Sequence, residues 1–287
     1  MYDALQGLSC RQPCLAVVLE GKLSSSRPLS LADTLALASA AGILAVFAVL
    51  HHSEFPPTGT RFLTALAITA GFALLAWFAG GVNVSGALAG SAVAFIMAIR
   101  DLRMFLALLV VFAVTLVATR IGYGRKLQLR AAEPTGGRTA AQAMANLGVA
   151  ALVVAIGAAG WPLLALAALA EAAADTGSSE IGMAFPGKTV LITNLRRVPA
   201  GTDGGMSLFG TVAALVSATA VAFSATASGL ASLRQAGTII VAGFLGTLVD
   251  SLLGAVFERR RRLNNDMVNL LSTAATLAIA WALARAV

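Results

Sequence analysis

Charge is what this chain lacks most. Only 11% of its 287 residues are Asp, Glu, Lys or Arg, against roughly 25% in a soluble domain, so it cannot clothe a water-facing surface. Cysteine is nearly absent. Cys10 and Cys14 are too few to staple a small secreted fold, and a lone C-x3-C is two ligands short of a structural zinc site. The pair reads as incidental. The two histidines, His51 and His52, are adjacent and offer nothing else to zinc. Residues 1–30 lack an apolar core of the kind a cleavable signal requires. Aromatics make up 6% of the chain, whereas 58% is hydrophobic and the mean hydropathy is +0.86. These numbers exclude disorder.

What is present is a series of apolar stretches of helical length, rich in Ala, Gly and Leu, which suits closely packed membrane helices rather than a barrel. The expected fold is all-α: a polytopic membrane helix bundle of about nine transmembrane helices. They fall at about 31–50, 61–80, 84–99, 103–121, 141–160, 162–183, 205–227, 236–257 and 266–284. Residues 1–30 read as a poorly ordered tail and 31–287 as a single transmembrane domain. The third span is short for a bilayer and the sixth carries three carboxylates.

Nine spans would put the termini on opposite faces. The basic residues then divide 15 on the N-terminal face and 5 on the other. That asymmetry predicts a cytoplasmic N-terminus in a cell (inner) membrane. The net charge of +7 is therefore a matter of topology and membrane surface, not of nucleic acid.

A charge inside a bilayer costs at least ~2.5–3.5 kcal/mol, so each one asks for a reason. Asp175 and Glu180 lie in span six, and Asp250 in span eight. Asp175 and Asp250 each stand about eight residues from the cytoplasmic end, ~12 Å down at helical rise. Span nine opens with Asn264, Asn265 and Asp266, and Asn269 follows one turn later. Asn146 enters from span five and Asn83 from the turn between spans two and three. The polar groups of several spans thus converge at one depth. Gly243, Gly246, Asp250 and Gly254 share a helical face, and small residues there would let a neighbouring backbone approach. Glu171, one turn deeper than Asp175, reads as a hydrogen-bonded group of the bundle.

Hard oxygen donors of this kind suit Mg²⁺. A partner anion site is offered by the loop Leu195–Ser207, whose Gly201, Thr202, Gly204, Gly205 and Ser207 open span seven with free N–H groups. Lys188, Arg196 and Arg197 add charge-assisted donors. The stretch from Gly182 to Thr189 matches the G-x4-G-K-[ST] pattern. A P-loop, however, needs a strand before it and a helix after it, and here a membrane helix precedes and a β-branched run follows.

These stretches carry a resemblance. Val84–Gly90, Arg138–Asn146, Ala174–Gly182, Leu191–Thr193, Val198–Ser207, Gly246–Gly254 and Leu263–Asn269 resemble blocks of the DUF92 family of integral membrane proteins, which includes plant phytyl-phosphate kinases. The likeness spans roughly residues 60–287. One departure is Gly177, where an aromatic usually follows Asp-Thr. More distantly, Asp175, Gly182, Gly187 and Lys188 are similar to a block of CTP-dependent dolichol and phytol kinases and CDP-diacylglycerol synthases.

The resemblance implies a CTP-dependent kinase that converts a lipid-like prenyl monophosphate to its diphosphate. Asp175, Glu180 and Asp250 would be catalytic and, with Asn265 and Asn269, hold Mg²⁺. Lys188, Arg196, Arg197 and the Gly201–Ser207 loop would hold the nucleotide phosphates, and Asn83 and Asn146 the acceptor headgroup. The rival reading is a cation-coupled membrane transporter, in which the same carboxylates bind the coupling ion. It leaves the one-sided, basic, Gly-rich loop unexplained.

Overall fold

The computed structural model describes residues 29–55, 59–129, 131–132, 136–185 and 187–286. Cys10, Cys14 and all but the last two residues of the expected tail 1–30 lie outside the described residues, as does Arg130. The remainder is almost wholly helical. The helices are α1 (Leu31–His51), α2 (Thr60–Phe78), α3 (Val84–Arg100), α4 (Leu102–Arg120), the short α5 (Tyr123–Gln128), α6 (Ala140–Ile156), α7 (Trp161–Ala184), α8 (Leu208–Ala227), α9 (Leu233–Leu253) and α10 (Asn265–Ala286). A π-turn at Gly254–Glu258 prolongs α9. Every expected span has its helix.

Six of these helices are long and apolar enough to cross a membrane: α1, α2, α4, α8, α9 with its π-turn, and α10. The other three long helices occupy the interior. α7 is buried without a break from Ala165 to Ala174, a run of mostly Ala that lets its neighbours approach from every side. α3 and α6 have only 17 residues each and bury most of them.

Two cross-links hold the site end of the bundle together. Asn83 N donates to Arg138 O (3.0 Å) and Arg138 N to Gly81 O (3.0 Å), which ties the turn before α3 to the entry of α6. Asp33 of α1, a residue the sequence reading passed over, accepts from Ala141 N (3.2 Å), a carboxylate at the positive end of α6. The α6 entry is further closed by a reciprocal capping box between Thr139 and Gln142.

The all-α expectation needs one small correction. The loop between α7 and α8 folds into three short antiparallel strands, β1 (Thr189–Leu191), β2 (Arg197–Val198) and β3 (Gly205–Ser207), in the order β2-β1-β3. Helix α8 therefore starts at Leu208 rather than at 205. The chain runs helix, Gly-Lys, strand, the reverse of a P-loop.

Candidate active site

The C-terminal half of α7, the end of α9, the start of α10 and the start of α6 surround one polar cavity, roofed by the β-loop. It holds about 1480 Å³ of space, its open mouth included. Asp175 and Asp250 lie near each other on its floor, and Asn146, Asn265 and Asn269 line it with them. The convergence expected from the sequence is present. With its amide turned to suit its neighbours, Asn269 donates to Asp250 Oδ2 (3.2 Å) and accepts from Asn146 Nδ2 (3.1 Å). That chain joins α6, α10 and α9.

Beneath the floor, Glu171 is held in the bundle as expected. Ser272 Oγ lies 2.7 Å from its Oε1 and 3.1 Å from Asp250 Oδ2, while Thr273 Oγ1 lies 2.7 Å from its Oε2. The glycine face of α9 makes this possible. A Cβ on Gly246 would fall onto Thr276 and the Glu171 side chain, and one on Gly243 would come within 2.9 Å of Ala170. Gly177 has a comparable reason: a side chain there would strike Ser217 of α8.

The roof carries Gly201, Thr202, Gly204, Gly205 and Ser207 to the cavity wall. Ser207 also caps α8, its Oγ accepting from Gly210 N (3.1 Å). Gly204 adopts φ +74 and lies so close to α9 that a Cβ would meet Ser251 O and Ala255. The loop is thereby pressed onto the helix end that bears Asp250.

Other expected site residues fall elsewhere. Lys188, Arg196 and Arg197 are exposed and outside the cavity lining. For Arg197 the sheet explains this: it sits in β2, the outer strand farthest from β3, while β3 and Thr189 of β1 border the cavity. Asn83 is also absent from the lining, because its side chain caps α3 by accepting from Gly86 N (2.8 Å) and Ser85 Oγ (2.9 Å). Glu180 does line the cavity, but its carboxylate is taken by Lys126 Nζ at 2.5 Å. Lys126 is wholly buried and also donates to Ala118 O and Thr119 O at the end of α4 (3.0 and 2.6 Å).

The sequence reading missed Lys126, Asp203, Glu258 and Arg138 as site residues. Lys126 is one of the fifteen basic residues on the N-terminal face, and no local pattern marks it as buried. Asp203 and Glu258 bring further carboxylates to the lining. Burial pushes the Asp203 carboxyl above its usual range, against the pull of Arg259. Arg138 is the one Lys or Arg side chain in the lining, among the described residues, and its charge acts on Asp175.

The donor set can be tested against Mg²⁺. Among the described residues, no three His, Cys, Asp or Glu side chains converge closely enough to hold an ion by themselves. Asn269, expected as a ligand, turns its NH2 toward Asp250 and gives its oxygen to Asn146, but two neighbouring carboxylates with Asn265 in the same lining supply part of a hard-oxygen shell. This is the usual way Mg²⁺ is held, with substrate phosphates and water supplying the rest. The residues fit on those terms, with Glu180 spoken for by Lys126.

Comparison with known proteins agrees with the sequence motifs. The chain is 34% identical over 170 residues to an uncharacterised membrane protein of Methanocaldococcus jannaschii, covering 58% of this chain and 70% of that one. It is 33% identical over 229 residues to an uncharacterised membrane protein of Synechocystis, covering 76% and 86%. It is 38% identical over 101 residues to the chloroplastic protein VTE6 of Arabidopsis thaliana, covering 34% of this chain and 30% of that one. No solved structure matches. The model of an integral membrane protein family, DUF92, matches residues 67–277, and the chain belongs to that family.

Proposed function

We propose that this protein is a membrane-embedded kinase that moves the γ-phosphoryl group of a nucleotide, CTP by resemblance, onto a prenyl or phytyl monophosphate. The observation that carries this reading is the pairing of Asp175 and Asp250 on the cavity floor with a Gly-rich backbone roof above them. Phosphoryl transfer asks a protein mainly for positioning and charge neutralisation, and this cavity offers both. Its lining is strongly acidic, so a triphosphate would enter only with divalent cation. Asp175 and Asp250, with Asn265 beside them, would hold Mg²⁺, which when bound would supply positive charge for the phosphate oxygens.

The chain's own groups do the rest. Thr202 N and Gly205 N are spent within the loop on Pro199 O and Thr202 O (3.3 and 2.8 Å), so the backbone of Gly201, Asp203 and Gly204 would hold the donor's phosphates. Asn146, fixed by Asn269, orients the acceptor headgroup. An acceptor phosphate oxygen attacks the γ-phosphorus, the bond to the β-phosphate oxygen breaks, and the nucleoside diphosphate leaves with that electron pair. The acceptor is already ionised, so no side chain need remove a proton. The site would face the cytoplasm, where nucleotide is present.

Purified protein in detergent with Mg²⁺, γ-phosphate-labelled CTP or ATP and a panel of prenyl alcohols and monophosphates tests the reading. Label should move onto a monophosphate and be lost in Asp175→Asn, while that variant elutes as wild type on size exclusion. An Asp175→Asn protein with undiminished transfer would sink the metal role. Absence of transfer from folded wild type to any acceptor would favour the transporter and direct work to ion flux in liposomes.

A further inference from the structure

The polar cavity has an apolar companion. A groove of about 730 Å³, its mouth included, runs between α2, α3, α4 and α6. Its walls are Phe72 and Ala76 of α2, Gly86 and Gly90 of α3, and Leu108 and Phe112 of α4. It shares Arg138, Gln142, Asn146 and Thr176 with the polar cavity, and Arg138 is the one charged side chain in its described lining. A third recess beside Gly80, Leu116 and Tyr123 meets the groove, and Arg138 lines that as well. Arg138 therefore borders all three spaces.

We propose that this groove takes the hydrocarbon chain of the acceptor, with Arg138 gripping its phosphate at the groove mouth and Gly90 setting how far the chain can enter. The inference rests on the kinase reading for its choice of acceptor. A ligand that fills both spaces must be apolar along its length and anionic at one end, which describes a prenyl monophosphate. From Thr115 at the mouth to Leu108, the α4 wall descends seven residues, about 10 Å at helical rise. Phe72 stands edge to face with both Phe112, near the mouth (5.2 Å between centroids), and Phe105, farther in (5.5 Å), which stiffens that wall. Gly90 is the place to alter it. A Cβ there meets nothing within 4 Å, so a larger side chain would project into the groove rather than into a neighbouring helix.

The test is binding and photo-crosslinking of phytyl monophosphate carrying a diazirine at the chain end, read by mass spectrometry in the Mg²⁺-free wild-type protein. Crosslinks should fall on α2–α4 at the depth of Phe72 and Gly90. Gly90→Leu should raise the Kd for phytyl relative to dimethylallyl monophosphate about tenfold, the loss expected for roughly two displaced methylenes. Arg138→Gln should weaken phytyl monophosphate roughly tenfold and leave phytol binding alone. Crosslinks confined to the outer, lipid-facing surfaces, or unmoved by Gly90→Leu in protein that still elutes as wild type, would overturn the proposal. Because no turnover is needed, groove labelling without phosphoryl transfer would fault the kinase reading and leave the groove assignment standing.

Discussion

Lys126 and Glu180 form an ion pair with almost no access to water, and removal of one partner from such a pair leaves a buried charge uncompensated. Lys126→Met should therefore lower stability by about 3–5 kcal/mol. The paired change Lys126→Met with Glu180→Gln should recover most of that, since neither side chain then carries charge and Thr119 can still bond the amide. Thermal unfolding of both variants in detergent checks this. A Lys126→Met protein as stable as wild type would mean that Glu180 is neutral or answers to another cation. The pair also explains why Glu180 could not be ranked correctly from sequence. Its place beside Asp175 in a membrane helix gives it the standing of a metal ligand, and its partner lies 54 residues away on a short helix with no distinguishing pattern.

Among the elements, the β-loop departs furthest from expectation. Gly201–Ser207 reach the cavity wall as the spacing predicts, because glycine and a helix start are local features. Local reasoning gave the arginines of the same loop equal standing. Only strand pairing decides that β3 borders the cavity and β2 does not. The carboxylates and amides on α7, α9 and α10 were legible for the opposite reason: helical rise alone fixes their depth. Gly204 is the hinge between loop and bundle. A non-glycine residue in its left-handed conformation costs roughly 1–2 kcal/mol, and an Ala there must also push against Ser251 and Ala255. Gly204→Ala should thus lift the roof, with nucleotide affinity falling at least as steeply as the melting temperature while far-UV circular dichroism stays unchanged. Equilibrium binding of a fluorescent CTP analogue measures it; unchanged affinity would show that the roof does not touch the nucleotide.

At the scale of the whole molecule, the question is how many helices cross. Six satisfy length and apolarity, and an even count would return both ends of this series to one side. Those criteria apply to helices that meet lipid, and the three that fail them are shielded by the others. α7 carries Glu171, Asp175 and Glu180 where neighbours cover it, and α3 and α6, about 26 Å long at 17 residues, each bury ten of those residues. A shielded helix need only be compatible with its packing partners. We therefore expect all nine to cross, with the β-loop on the cytoplasmic side and the turn between α8 and α9 outside. Single cysteines at Asn194 and Ser228, in a chain whose Cys10 and Cys14 are replaced by Ser, should report opposite sides to an impermeant maleimide in intact cells: Ser228→Cys labelled, Asn194→Cys labelled only after lysis. These two loops are separated by α8 alone, which is long and apolar enough to cross, so they are expected on opposite sides in either count. The decisive pair is Gly80→Cys and Asn194→Cys. The ends of α2 and α7 must share a face if α3, α4, α6 and α7 all cross. Were the two labelled from opposite sides, an interior helix would have to turn back within the membrane, and a site assembled from α6, α7, α9 and α10 could not lie at one depth.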